Sequence, residues 1–162
     1  MAKGDMFLKL DGARQGPIKG EAQDENHKDE IDILAWSWGM HAQSAMNEGV
    51  SGGRATLDTL TITKLVDSAS SAIMACVRNN EPIKKGVLTV RKAGGSALEY
   101  LKVTIEQARI TSIDIRSGAS DGESTLTEVL QFSFQKIGVE YTPQGKDGLA
   151  RGSMLFETQI ET

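Results

Sequence analysis

The chain is 162 residues long, which fits one domain by the usual prior of roughly 100–200 residues and is enough to bury about two-thirds of the unfolded surface. Hydrophobic residues make up 39% and charged residues 25%, a balance too apolar for a disordered chain. Eighteen basic against twenty-two acidic residues leave a net charge of −4, without the basic excess that phosphate binding requires, so nucleic acid is not an expected partner.

Short runs rich in Val, Ile and Thr, punctuated by Gly, Asn and Asp, predict a mostly β chain. Phe7-Leu8-Lys9-Leu10 reads as the first strand, ended by Asp11-Gly12 and a loop through Gly16-Pro17. A polar, charge-dense stretch from Lys19 to Glu30 feeds the run from Ile31 to Gly39. Residues 40 to 53 are rich in Met, Ser and Gly without a period, and are expected to form a long loop. Leu57 to Leu65 is strand-like, with Thr59, Thr61 and Thr63 alternating against Leu60 and Ile62.

Val66 to Val77 breaks the pattern. Apolar residues at 66, 69, 73, 76 and 77 have helical spacing, with Asp67 or Ser68 as the expected N-cap and Asn79-Asn80 before Pro82 as the stop. Strands resume over Lys85 to Lys92, turn tightly at Gly94-Gly95, and continue through Leu98 to Glu106. Arg109 to Ile115 leads into a loop at 118 to 122, and a long final strand is expected from Leu126 to Tyr141. No linker, low-complexity tract or internal repeat divides the chain, so residues 1–162 are read as a single domain.

The alternation changes phase three times: at Leu34-Ala35, between positions 98/100 and 101/103/105, and between 130/132/134 and 137/139/141. A phase flip moves the buried face to the other side of the strand, as at a β-bulge or where a strand passes between sheets. Three flips favour a curved barrel or closed sandwich over a flat sheet. The same pattern also arises when a neighbouring subunit covers the second face.

Little here suggests catalysis. Cys76 is the only cysteine, so no intrachain disulfide forms; beside Ile73 and Val77 it reads as a small core hydrophobe. His27 lies among Asp24, Glu25, Asp29 and Glu30, which reads as a solvated face, since no partner His stands at metal-ligand spacing. His41 has no acid or nucleophile beside it in sequence and reads as a loop or interface residue. Neither Gly pair has phosphate-loop spacing, and no nucleophile elbow is present, so no catalytic, cofactor or metal residue is assigned. The longest apolar run, Ala72 to Val77, is too short to span a membrane, and the amino terminus lacks the apolar core of a secretory signal peptide. Trp36 and Trp38 share one strand face and read as core, which turns the small residues Ala35 and Ser37 outward, open to close approach by another chain or a lumen ligand.

Several stretches carry a resemblance. They are Asp5-Met6-Phe7-Leu8-Lys9-Leu10, Lys19-Gly20-Glu21, Glu30-Ile31-Asp32-Ile33-Leu34-Ala35-Trp36-Ser37-Trp38-Gly39, Thr63-Lys64, Ala75-Cys76 and Leu88-Thr89-Val90-Arg91-Lys92-Ala93-Gly94-Gly95. Glu99-Tyr100, Thr127-Glu128 and Val139-Glu140-Tyr141-Thr142-Pro143-Gln144 complete the set. From about residue 4 to 145 the chain resembles the haemolysin-coregulated protein (Hcp) family of type VI secretion.

The resemblance implies a two-sheet β-barrel, like that of phage tail-tube proteins, with one short flanking α-helix. It implies a homohexamer whose rings stack into the inner tube of a contractile sheath, capped by a spike protein and carrying effector proteins in the pore. Such a subunit is cytoplasmic before assembly and is then exported without a signal peptide; no cofactor is implied. By the same analogy Ser37, with Ala35 beside it, faces the pore and contacts cargo, while the length of the Met40–Gly53 loop and its adaptable Met side chains make Met40, His41 and Met46 candidates for reaching the adjacent subunit or the next ring. The alternatives are a monomeric ligand-binding β-barrel and a phage-type tail-tube subunit.

Overall fold

The structure, a computed structural model, describes residues 5–42, 55–92, 98–120, 123–143 and 152–160. Among the described residues, eleven strands and one helix follow in chain order: β1 (Met6–Gly12), β2 (Gly16–Ile18), β3 (Ile31–Asp32), β4 (Ala35–Ser37), β5 (Met40–His41), β6 (Thr56–Leu57), β7 (Leu60–Leu65), α1 (Ser70–Arg78), β8 (Pro82–Arg91), β9 (Glu99–Ser120), β10 (Glu123–Tyr141) and β11 (Met154–Gln159). Nine of the strands form one antiparallel sheet in the order β2-β1-β8-β9-β10-β7-β4, with β3 also on β1 and β11 also on β10; β5 and β6 pair separately.

Residues 31 to 37 explain how this sheet curls round. β3 pairs with β1 at one end of the order (Phe7↔Asp32, Leu8↔Ile31), while β4 pairs with β7 at the other (Trp36↔Ile62). Between them, Ile33 N–H donates to Met6 O and Leu34 N–H donates to Thr63 O. Consecutive residues thus tie opposite ends of the sheet together. Ile31 and Ile33 are buried, then Trp36 and Trp38 turn inward, so the first phase flip is the point where the chain crosses from one end of the barrel to the other.

The other two flips also fall at irregularities. The register shifts where Val90 faces Leu101 but Arg91 faces Glu99, leaving Tyr100 as the extra residue. Farther along, Lys84, Gln107 and Gln135 are missing from the ladder together, between Ile83↔Ala108↔Phe134 and Lys85↔Glu106↔Lys136. Gln107 takes a left-handed backbone there, with φ 49. The buried residues of β9 accordingly change from Val103 and Ile105 to Ala108 and Ile110, and those of β10 from Phe134 to Ile137. This row is a corner, where three neighbouring strands bend at one level.

Several expectations need correction. Met40–His41 is a strand on Thr56–Leu57 and not loop, because the segment returns on itself as a hairpin arm. The run from Leu57 to Leu65 is broken after Leu57, with β7 starting at Leu60. Glu106 and Arg109 lie within one continuous strand, β9 runs on to Ser120 within the stretch expected as loop, and β10 starts at Glu123, before the expected Leu126. The strand ending at Tyr141 is not the last, since β11 follows it and pairs along its second half (Tyr141↔Met154, Lys136↔Gln159). The Gly94-Gly95 turn lies outside the described residues.

The helix starts later than its apolar spacing suggests. Ala69 precedes its first turn without a side-chain cap. Asp67 Oδ1 accepts from Ala69 N–H (3.0 Å) and from Lys64 Nζ (2.8 Å), and Ser70 Oγ accepts from Asp67 N–H (3.0 Å). Asp67 is therefore committed to a turn and an ion pair one step before the helix. Asn80, with φ 53, ends the helix, and Pro82 opens β8 as expected. Ile73 and Cys76 face the core, which is built from Leu8, Leu10, Ile31, Leu60, Ile62, Ile83, Leu88, Ile105, Leu130 and Phe132 among others.

Two polar knots sit inside this apolar frame. Lys64 and Glu128 are cross-strand partners on β7 and β10, both at 0% exposure, and their side chains pair. Ser70 Oγ donates to Glu128 Oε1 (3.1 Å), so the cluster joins the sheet to the helix start. Glu81, also buried, accepts backbone N–H groups from Arg14 and Gln15 (both 2.9 Å) and clasps the β1–β2 turn. Those bonds, Gln15's first, hold its carboxyl below the usual carboxylate range. Gln15 Nε2 also reaches Cys76 Sγ (3.1 Å), whose thiol burial pushes up. Cys76 thus packs as a core residue, away from the conditions that activate a thiolate.

Candidate functional site

The edge strand β4 behaves as its alternation dictates. Trp36 and Trp38 are half-buried and pack against the core, while Ala35 and Ser37 are exposed. Trp38 Nε1 donates to Asp58 O (2.9 Å) and Asp58 N–H donates to Gly39 O (3.0 Å), which fixes the end of the Trp strand against the residues before β7. Around that junction Ser37, Trp38, Gly39, His41, Asp58, Thr59 and Thr61 line an open polar concavity.

The concavity gathers two of the candidate residues, Ser37 and His41. His41 Nδ1 lies 3.2 Å from Asp58 Oδ1, an acid neighbour that is seventeen positions away and thus invisible to a local reading of the sequence. Both partners are solvent-facing, with side chains 71% and 44% exposed, so the pair is screened and weak. Gly39 matters for geometry here: a Cβ on it would come 3.2 Å from Asp58 Oδ2. Hydroxyls from Ser37, Thr59 and Thr61 with one exposed carboxylate offer hydrogen bonds to a polar surface, in competition with water.

Met40 lies elsewhere. On β5 it faces Leu57 of β6, and together with Ala55, Phe156, Thr158, Gln159 and Ile160 it lines a groove beside β11. Met46 lies outside the described residues. The structure therefore separates the candidates into a polar concavity with Ser37, beside exposed Ala35, and an apolar groove with Met40.

β11 is the surface that sequence reasoning missed. Met154, Leu155 and Phe156 are 66%, 60% and 44% exposed, and Tyr141 on the adjoining strand is exposed as well. The signal available was the run of three consecutive apolar residues Met154-Leu155-Phe156 near the end of the sequence. Three consecutive exposed apolar residues on one strand are costly for a subunit that stands alone.

His27 also departs from expectation. It is not on a solvated face but buried, with its ring stacked on Phe7 (centroids 4.4 Å apart, planes 7° apart) and carboxylates near both nitrogens. Arg91 lies over the same Phe7 ring at 5.1 Å and pairs with Asp24 at 2.7 Å, which pulls the Asp24 carboxyl below the usual range. Among the described residues no group of three or more His, Cys, Asp or Glu side chains is arranged to hold a metal, and no helix is long and apolar enough to cross a membrane.

A family model described as "Type VI secretion system effector, Hcp" matches residues 7–141. The chain belongs to the Hcp family. It is 37% identical over 151 residues to protein hcp1 of Pseudomonas aeruginosa, covering 91% of this chain and 89% of that relative. The fold is similar to the structure of a type six secretion system protein (TM-score 0.81, 25% identity, 93% and 91% of the two chains) and to Hcp1 of Salmonella typhimurium (TM-score 0.76, 28% identity, 96% and 94%). A type VI secretion system effector from Yersinia pestis is similar too (TM-score 0.75, 29% identity, 96% and 100%). The Hcp chain is thus a type VI secretion tube protein with the family's β-barrel fold. The Thr63-Lys64 and Thr127-Glu128 pieces that carried the resemblance meet in the buried Lys64–Glu128 pair, and Arg91 and Glu99 converge on the Phe7–His27 stack.

Proposed function

We propose that six copies of this chain close into a ring with a wide pore, that rings stack into a tube within a contractile sheath topped by a spike, and that effector proteins ride in the pore. A closed ring needs a heterologous contact, one patch of each subunit meeting a different patch of the next. The observation that carries this reading is the exposed apolar run Met154-Leu155-Phe156 on β11. The barrel interior, filled by Leu8, Leu10, Ile62, Leu88 and Phe132, speaks against a ligand-binding barrel.

In this reading the whole chain acts as one structural unit without catalytic residues, starts in the cytoplasm and leaves by sheath contraction. Ser37 and Ala35 face the pore, and the small, polar surface around them holds cargo weakly enough to release it. Met40, His41 and Met46 serve subunit or ring contacts.

Negative-stain electron microscopy combined with mass in solution tests the assembly. Six-fold rings of about 104 kDa, six chains of 17.4 kDa, are expected; a 17.4 kDa monomer at high concentration would overturn the ring. Ser37→Arg is expected to leave the ring intact and abolish retention of the cognate effector. Normal retention by that variant would remove Ser37 from the cargo surface.

A further inference from the structure

His27 is 7% exposed and sits where the connection between β2 and β3 crosses the start of β9. Its Nδ1 lies 3.0 Å from Glu30 Oε1 in its own segment, and its Nε2 lies 2.5 Å from Glu99 Oε2 on β9. The Phe7 ring of β1 is stacked on it. Other charged groups near this stack are Asp24 in the same segment, Arg91 on β8 and Asp5 before β1, with Asp32 opposite Phe7 on β3, and Arg91 pairs with Asp24 and Asp5.

A neutral imidazole has one N–H and one lone pair, so it can donate to one carboxylate only. Its other nitrogen would then turn a lone pair on a carboxylate oxygen in a partly buried site, a repulsive contact. The imidazolium donates from both nitrogens, and each bond is then charge-assisted. We infer that Glu30–His27–Glu99 is a proton-gated latch, which fastens the 19–30 segment to β9 while the ring is protonated and frees it when the proton leaves. The neutral tautomer that keeps Nδ1–H on Glu30, within its own segment, gives up the contact to Glu99, which is the one that joins different elements.

The latch has consequences along the chain. The segment holds its own shape through Gly20 N–H to Asp29 O (2.8 Å), Ala22 N–H to Glu30 O (3.0 Å) and Asp29 N–H to Ala22 O (3.0 Å). It leads straight into β3 and β4, the residues that tie the two ends of the sheet together. Releasing it therefore loosens the approach to the barrel's closure and not a peripheral loop.

Hydrogen exchange followed by mass spectrometry over a pH series tests this on the whole protein. Amides of the 19–30 segment report the latch, the slow C2–H exchange of the His27 ring reports its protonation, and core amides of β1 report general pH effects. Relative to β1, protection of the segment is expected to fall about tenfold in step with loss of the ring proton, the fold-change of one charge-assisted hydrogen bond. In Glu99→Gln the side-chain amide can donate to the neutral ring at Nε2 while Nδ1–H still donates to Glu30, so segment protection is expected to become independent of ring titration. The latch is overturned if the ring titrates in the wild type while segment protection stays constant, or if Glu99→Gln keeps the wild-type coupling. A Glu99→Gln chain that fails to fold leaves the wild-type measurement to decide alone.

Discussion

Lys64→Met should be among the costliest single changes to this barrel. Lys64 and Glu128 are both at 0% exposure, directly opposite each other on β7 and β10. Removing the ammonium leaves Glu128 with the Ser70 hydroxyl at 3.1 Å on one oxygen, while its Oε2 has no hydrogen-bond partner even with Lys64 present. Asp67 loses its 2.8 Å cation at the same time. Breaking one partner out of a buried pair costs about 3–5 kcal/mol, because it strands a charge in a low-dielectric interior. Against a total stability of about 5–15 kcal/mol that is a large share. At about 2–4 °C per kcal/mol for a chain of this size, the melting temperature should drop by about 6–20 °C.

The pair itself contributes far less than its rupture costs, because desolvating two charges offsets most of their attraction. Lys64→Met combined with Glu128→Leu should therefore recover much of the loss. Urea unfolding at pH 7 and one fixed protein concentration, with assembly state checked at each step, separates these terms from mass action. A Lys64→Met loss below about 1 kcal/mol, or a double variant no more stable than the single one, would refute the stranded-charge argument.

Acid should loosen the β1–β2 turn. The Glu81 carboxyl is held low by backbone N–H groups, so its stabilisation is present above its unfolded value near 4.5 and is lost as pH falls through the lower folded value. Asp24, held low by Arg91, adds to the same slope, while Asp32, raised first of all by burial, works against it. Urea midpoints at pH 7 and pH 3 should converge in Glu81→Gln relative to wild type. Gly20→Ala should destabilise by about 1–3 kcal/mol, since the added Cβ would stand 2.7 Å from Glu30 O and 2.9 Å from Ile31 Cα, both backbone atoms. Equal thermal stability of that variant would show that the segment can shift at no cost. Met154→Ser, at the most exposed of the three β11 residues, should change subunit unfolding by less than about 0.5 kcal/mol yet reduce ring recovery in size-exclusion chromatography, and intact rings would remove β11 from the contact surface.

The barrel was legible because its curvature is written in hydrophobic phase. Each of the three flips marks a place where the backbone does something specific: a crossing between sheet ends at Ile33-Leu34, an extra residue at Tyr100, and a corner at Gln135. Alternation is a local signal, and it survives wherever one face is buried. The turn at Gln107 was harder to read, because it looked like the end of one strand and the start of another. What was missing was the knowledge that β8 and β10 bend at the same level, which no stretch of β9 contains. The helix start was misplaced for a related reason: Asp67 has the composition of a cap, but Lys64, three residues earlier, takes part of its carboxylate.

The functional surfaces were legible only in part, and the cause is physical. A tube subunit works through complementarity with copies of itself, so its working residues need no diagnostic chemistry. Ser37 and Ala35 could be placed on the outward face because Trp36 and Trp38 fix the pleat, but their smallness alone does not name a partner. Buried polar residues are a different case, because they must be satisfied and their partners come from distant sequence. His27 looked solvated among its acidic neighbours, and only the fold brings Glu99, 72 positions away, to its second nitrogen. Lys64 and Glu128 stood 64 positions apart as two fragments of a resemblance and turn out to be a single pair. In a chain whose exposed work is done by ordinary residues, the buried charges are therefore where sequence motif and structural necessity coincide. Substitutions there should disturb folding before they disturb assembly, whereas those on β11 should do the reverse.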